Sequence, residues 1–204
     1  MASAPGALAG KDLLLEVACD LFMKAGYDGV SMQQIADAAH MTKGSPYYHF
    51  EGKEDLFAQA FVKRMDQIYD GFMRELQQEA DLRTRLTRSL AYLLMTADAG
   101  MIRLVEDFHR CVTPDRARQC DAQKLDPAEM LGALTPCFVA ATQAGTPLKF
   151  DPERAAMMFF SLQMGTMHTL HIMNQVPGNA DEARRLADET VDCFLNGVVA
   201  AGDL

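Results

Sequence analysis

Ser31-Met32-Gln33-Gln34-Ile35-Ala36-Asp37-Ala38-Ala39-His40-Met41-Thr42-Lys43-Gly44-Ser45-Pro46-Tyr47-Tyr48-His49-Phe50 is the stretch from which the fold is read. Ser31 and Gln34 have the spacing of a capping box, in which each side chain satisfies the other residue's orphan backbone N–H. They open a helix whose apolar side is Ile35, Ala36 and Ala39. His40-Met41 make a short turn, and Thr42 is placed to cap a third, short helix through about His49. Upstream, Leu14, Leu15, Ala18, Leu21 and Phe22 share one stripe of a helix from about Lys11 to Ala25, which Gly26 ends. Downstream, a long helix starts near Lys53 and repeats Leu56, Phe57, Phe61, Met65, Ile68, Phe72 and Leu76 at near-helical spacing. Helices two and three, joined by a tight turn, make a helix-turn-helix. In that motif the third helix normally lies in the DNA major groove, its amino end against base edges and phosphates.

The residue types of the third segment suit that contact. Thr42 and Ser45 offer hydroxyls to phosphate or base. Lys43 projects where a base or phosphate is reachable. Gly44 lacks a side chain, so a sugar-phosphate can approach helix N–H groups whose dipole favours an anion. Tyr47 or Tyr48 can donate a phenolic O–H, and His49 can donate to a phosphate or bind a neighbouring helix. Lys53, opening the next helix, can clamp the same backbone or stand as an ordinary solvated lysine. Phe50 reads as a core aromatic, and Tyr47 has that alternative too.

Beyond Asp81 the helical period continues, with helices expected at about 82–97, 101–112, 127–144, 152–174 and 181–200. Pro127, Pro152 and Asp181 mark starts; Gly145-Thr146-Pro147 and Pro177-Gly178-Asn179 mark breaks. The expected fold is all-α, about nine helices in two domains: 8–68, with its helix-turn-helix at 31–50, and 69–204. The opening Met1–Ala7 reads as a mobile tail, with neither the basic start nor the apolar run of a secretory signal. No apolar run approaches the roughly 20 residues of a membrane helix, so no membrane partner is expected. Cys19, Cys111, Cys120, Cys137 and Cys193 are odd in number and widely spaced, which fits reduced thiols in a cytoplasm better than a disulfide framework. An oxidation-sensing role for them stays open.

The net charge of -9 excludes a general DNA coat. Residues 1–64 carry six bases against eight acids, hence -2; the remaining thirteen bases and twenty acids give -7. An acidic body repels DNA except where a local patch faces it, which leaves room for a site-specific reader.

The run from Val30 to Phe50, continued by Glu51-Gly52-Lys53-Glu54-Asp55-Leu56-Phe57 and joined upstream by Phe22 and Gly26-Tyr27, resembles the signature of the TetR family of transcriptional regulators. The rest of the chain resembles the family only in length and helix count. The resemblance implies a homodimeric regulator that is not an enzyme, with a helical effector and dimerisation domain at the C-terminus. It places Ser31, Gln33, Thr42, Lys43, Gly44, Tyr47, Tyr48, His49 and Lys53 at positions that face double-stranded DNA. Pro46 departs from the pattern, standing where a residue with a free N–H is usual, and so can alter the aim of Lys43 and Tyr47.

The second domain is rich in Met and Phe. Met157 to Met173 is apolar on nearly all sides, as in a helix buried on more than one face. Two readings stand: methionines filling core, or methionines lining a permissive pocket. For the second, a small hydrophobic effector is expected among Met101, Leu104, Phe108, His109, Cys137, Phe138, Phe159, Met164 and His168. The last helix, with Leu186, Val191, Phe194, Leu195 and Val198 on its apolar side, is expected to pair with the 152–174 helix in a dimeric four-helix interface. His168 and His171 are three apart but have no carboxylate or thiol partners in sequence, so neither a metal nor a cofactor is expected. An enzymatic bundle lacks any Glu-x-x-His pair or nucleophile constellation, whereas a helical interaction module without DNA binding fits the acidic charge. The expected mechanism is a repressor that reads a palindromic operator with two recognition helices roughly 34–36 Å apart and releases it when effector binding alters that spacing.

Overall fold

The computed structural model describes residues 5–96, 98–120 and 127–198, and among these every regular element is a helix. There are ten: α1 Pro5–Ala25, α2 Met32–Ala38, α3 Ser45–His49, α4 Lys53–Gln77, α5 Leu82–Thr96, α6 Ala99–Cys111, α7 Pro114–Gln119, α8 Pro127–Gln143, α9 Pro152–Ile172 and α10 Ala180–Val198. The tenth is α7, which sequence periodicity passed over because six residues cannot show a period. Local chemistry makes it: Thr113 caps it by accepting from the Arg116 N–H, and Pro114 fills a first-turn position. Pro5 likewise starts α1 earlier than the expected Lys11, within the supposed tail; residues 1–4 of that tail lie outside the described residues. The expected ends at Ala97 and Ala200 also lie outside them.

The chain divides into two compact units: Met1–Gln67 with Ala99–Leu125, and Ile68–Asp98 with Asp126–Leu204. The boundary falls inside α4. In the first unit α1 packs on α2, α3 and α6, burying Leu14, Ala18 and Phe22 against an aromatic cluster. Phe22 meets Phe57 edge-on at 4.8 Å, and Phe61 stacks on Phe108 at 3.9 Å. Tying α6 into this unit are polar contacts that periodicity does not encode. Arg103 donates to the Lys24 carbonyl at the end of α1 (2.7 Å), and the buried Asp107 accepts the Tyr27 N–H (2.7 Å).

In the second unit α10 lies along α5 and α8 along α9. Ala183, Ala187, Val191 and Phe194 are the buried side of α10, and Phe194 stands 5.2 Å from Phe159 and 6.1 Å from Phe138. Arg83 on α5 pairs with Asp188 and Asp192 on α10. Within the unit, the buried side of α10 packs chiefly along α5, while Leu186 and Leu195 of its expected apolar side are only half-buried. Exposed apolar side chains of this unit include Val139 on α8, Met157, Met158, Leu162 and Ile172 on α9, and Met95 on α5. No described helix is long and apolar enough to cross a membrane.

Candidate nucleic-acid interface

The platform for the third helix is fixed by its caps. Ser31 Oγ accepts the Gln34 N–H (3.2 Å) while the Ser31 N–H donates to Gln34 Oε1 (2.8 Å), completing the capping box of α2. At the other end His40 adopts φ of +55°, its N–H bonds Asp37 O (3.1 Å), and the Met41 N–H bonds Ala36 O (2.9 Å). Those two bonds, closing around a left-handed residue, are a Schellman turn. Its αL position is strained for a residue with a Cβ. Gly26 ends α1 in the same left-handed way, at φ +74°.

The start of α3 differs from expectation. The residue at its N-cap is Gly44, with helical φ and ψ and no side-chain cap, and the helix proper begins at Ser45. Thr42 does not cap it; its hydroxyl lies 3.1 Å from Ser45 Oγ, and the Ser45 N–H bonds the Thr42 carbonyl (2.9 Å). Lys43 therefore projects from the turn ahead of α3. Pro46, in the first turn, needs no donor there and is buried.

Thr42, Lys43, Gly44, Tyr47 and Tyr48 are exposed, Tyr48 to 83%. Lys43 has no ionic or hydrogen-bonding partner among the described residues. A Cβ placed on Gly44 would meet nothing within 4 Å, so its surroundings are open to an incoming backbone. Ser31 is exposed but its hydroxyl is engaged by Gln34, and Gln33 donates to Asp37 Oδ1 (2.7 Å). His49 is half-buried, its ring edge against α1, where a Cβ on Gly10 would stand 3.9 Å from Nε2. Lys53 Nζ sits 4.2 Å over the Tyr27 ring, a cation–π contact that holds it to the scaffold. Phe50 is buried, with Lys11 Nζ 5.5 Å from its ring centre.

Charge around this platform is largely paired, which sequence reading missed. Arg116 of α7 bridges Glu51 (2.5 Å) and the buried Asp55 (3.3 Å), and Glu54 accepts from the Thr113 N–H and hydroxyl. Those Thr113 hydrogen bonds hold the Glu54 carboxyl below its ordinary range. Arg110 pairs with Asp28 and Asp107, and Lys63 with Asp12 and Glu16. Seven of the carboxylates that would repel a phosphate chain thus carry a cationic or hydroxyl partner.

The nine residues expected to surround an effector divide between the units. Met101, Leu104 and Phe108 are buried on α6, and His109 is exposed beside them. Phe138 and Phe159 are fully buried core; Met164 is half-buried and His168 exposed on α9. Only Cys137 of the nine lines the cleft of about 630 Å3 in the second unit. Its walls are Tyr69, Met73, Leu76 and Gln77 of α4, Arg85 of α5, and Glu129, Gly132, Ala133, Pro136, Cys137 and Ala140 of α8. A periodic pattern shows that Phe138 turns inward, but not whether inward means core or cavity. Arg85 donates to the Ala80 carbonyl (2.9 Å). Burial raises the Cys137 thiol, and Arg85 opposes that rise. Burial also pushes Cys19 up to about 11 and raises Cys111 and Cys120, so none of these is held as thiolate.

Comparison with known proteins bears on both units. Residues 14–60 match the model of the bacterial regulatory proteins of the tetR family, and residues 89–197 that of the AefR-like transcriptional repressor C-terminal domain. Among curated proteins, the chain is 30% identical over 64 residues to IcaR of Staphylococcus epidermidis, the negative transcriptional regulator of the icaADBC biofilm operon. That match covers 31% of this chain and 35% of IcaR. A TetR-family regulator from Mesorhizobium loti superposes with a TM-score of 0.76 at 24% identity, over 97% of this chain and all of that one. AibR, solved with isovaleryl coenzyme A and operator DNA, superposes with a TM-score of 0.61 at 25% identity, over 90% of this chain and 97% of that one.

Proposed function

The chain belongs to the tetR family of bacterial regulatory proteins, and from that premise we propose that it is a DNA-binding transcriptional repressor whose contact with an operator duplex is formed by Thr42, Lys43, Gly44, Ser45, Tyr47 and Tyr48. The observation that carries this is the open face ahead of α3. A free lysine, a glycine with empty space beside it and two exposed tyrosines stand together on a helix pair locked by a capping box and a Schellman turn. Lys43 and the tyrosine hydroxyls serve phosphates; Thr42 and Ser45 are short enough to let base edges approach. Ser31, Gln33, His49 and Lys53 act mainly by holding this face, because each is engaged by the protein. Gel shift with DNA from upstream of the protein's own gene tests the reading: a retarded band lost on Lys43→Glu is expected. Equal binding by both forms would refute it.

The protein works as a homodimer in the bacterial cytoplasm, and the operator is accordingly two-fold symmetric. Support comes from the apolar side chains exposed on α8 and α9, which a second copy would bury. The effector is a small, mainly apolar molecule seated in the α4–α5–α8 cleft, whose walls are largely apolar with Arg85 as a cationic anchor. AibR is a related case in which an acyl thioester and operator DNA are both bound. A ligand on Tyr69 and Met73 touches the same helix that begins at Lys53, so differential binding can move the DNA-contacting end. By linkage, it must bind the released form more tightly than the DNA-bound form. Decanoate, an apolar chain with one carboxylate for Arg85, added to the protein–DNA complex is expected to release DNA; release that persists in Arg85→Leu would place the ligand elsewhere.

A further inference from the structure

The second unit is acidic, with fifteen acids against eight bases, yet four of those eight bases converge on one cleft. Arg83 and Arg88 on α5 face Arg184 and Arg185 on α10 across a space of about 470 Å3, with Thr84 and Thr87 on its wall. Two of the four arginines are already occupied: Arg83 by Asp188 and Asp192, Arg88 by Gln78 Oε1 (2.8 Å). Arg184 and Arg185 are exposed and have no ionic or hydrogen-bonding partner among the described residues. Asp181 and Asp188 also line the cleft, but Asp188 is held by Arg83, so the cationic groups remain in excess.

A second observation points the same way. Thr87 is only 8% exposed, and its hydroxyl has no partner. In a helix a threonine hydroxyl ordinarily returns to a carbonyl one turn back, as Thr96 and Thr135 do here. A buried hydroxyl left unpaired is unfavourable unless something outside the chain completes it. Next to the cleft runs a smaller groove of about 260 Å3 that shares Arg88 and Arg184 and is otherwise lined by Glu75, Ala91, Tyr92, Met95 and Ala180. Met95 is 43% exposed. A cationic pocket thus opens onto a mainly apolar shelf with one carboxylate, Glu75, on its wall.

We propose that the α5–α10 cleft binds a phosphate-bearing small molecule, its phosphates among Arg83, Arg88, Arg184 and Arg185 and its organic part over Ala91, Tyr92 and Met95. Guanidinium groups match phosphate oxygens two at a time, and the anion supplies the acceptors that Arg184, Arg185 and the Thr87 hydroxyl lack. This site is separate from the α4–α5–α8 cleft, with which it shares no wall residue, and it does not rest on the DNA-binding reading.

Isothermal titration of the full-length protein with sodium pyrophosphate and with ADP, in low-salt chloride buffer, tests it. Both are expected to bind saturably, one per chain, with ADP the tighter. Arg184→Ser with Arg185→Ser is expected to weaken both by about tenfold or more, while Arg154→Ser on α9 leaves them unchanged. Thr87→Val is expected to weaken ADP without lowering the melting temperature, which separates a ligand contact from a structural one. Met95→Glu is expected to remove only the advantage of ADP. If pyrophosphate binds as tightly as ADP, the apolar shelf has no role and the assignment of an organic ligand is overturned in favour of free phosphate. Absence of saturable binding, or equal weakening by Arg154→Ser, overturns the site. A change of oligomeric mass in the double variant, with anion affinity intact, would assign the arginines to a second chain and overturn it as well.

Discussion

Replacing Asp107 with alanine probes how the first unit, which carries the helix-turn-helix, is held together. The carboxylate is 7% exposed, accepts the Tyr27 N–H at 2.7 Å and pairs with Arg110 at 2.6 Å. A Cβ on Gly26 would stand 3.3 Å from its Oδ2, so it packs directly on the end of α1. Removing it takes the acceptor from a backbone N–H in a turn that cannot refold around the loss. Hydrogen bonds to charged groups contribute about 1.5–3 kcal/mol. Arg110 is largely exposed and keeps Asp28, so its loss adds nothing to that figure. The expected destabilisation of about 2 kcal/mol corresponds to roughly 4–8 °C in melting temperature for a chain of this size. Asp107→Asn retains an acceptor for Tyr27 and should fall by about half as much. Burial disfavours the charged Asp107, but its bonds from Arg110 and the Tyr27 N–H outweigh that and hold its pKa below the ordinary value. Its ionised form therefore stabilises the fold fully at any pH above the unfolded value of about 4, and that contribution fades as pH falls through the lowered folded value. Calorimetric scans of the three proteins at neutral and acid pH are the assay. The gap between wild type and Asp107→Asn should close as the pH falls below the ordinary aspartate value and through the lowered folded one. A shift under 1 °C in Asp107→Ala at neutral pH, or a gap that widens on acidification, would refute the reasoning.

Three further perturbations separate contact from scaffold. Lys43→Ala should weaken operator binding and lower the salt slope by about 1 per subunit, seen by anisotropy titration across chloride concentrations, with the melting temperature unchanged. Ser31→Ala removes the capping box and should cost about 1 kcal/mol by denaturant titration, weakening DNA binding only through that loss. Gly71→Ala would put a methyl 2.0 Å from the Tyr92 hydroxyl and 2.1 Å from its Cζ, so the ring must leave. A loss of about 1–3 kcal/mol is expected, restored by Tyr92→Leu but not by Tyr92→Phe, because the ring carbon itself collides.

The helix-turn-helix was legible because its signals are local. The Ser31–Gln34 box, the Gly26 stop and the inward Phe22, Ile35 and Phe50 depend on neighbours within a few positions, and each stands where the periodicity places it. The start of α3 misled because Thr42 satisfies the cap rule in composition, while a hydroxyl contact with Ser45 and helical angles at Gly44 take precedence. What ties α6 and α7 to the first unit was invisible: Asp107 meets Tyr27 across eighty residues and Arg116 meets Glu51 across sixty-five, and no spacing rule reaches so far. The α4–α5–α8 cleft was hidden for a related reason. Tyr69, Arg85 and Glu129 come from three helices, and only packing makes them neighbours.

The central question is whether the face from Thr42 to Tyr48 reads DNA. Selection of tight-binding duplexes from a random pool by the wild-type protein, run beside Gly44→Glu, measures that directly. The expected result is enrichment of an inverted repeat with half-site centres about one helical turn apart, bound at about 10 nM or tighter, and no enrichment with the variant, whose melting temperature is unchanged because nothing surrounds that Cβ. Enrichment of the same sequence by both proteins, or none by either, would contradict it.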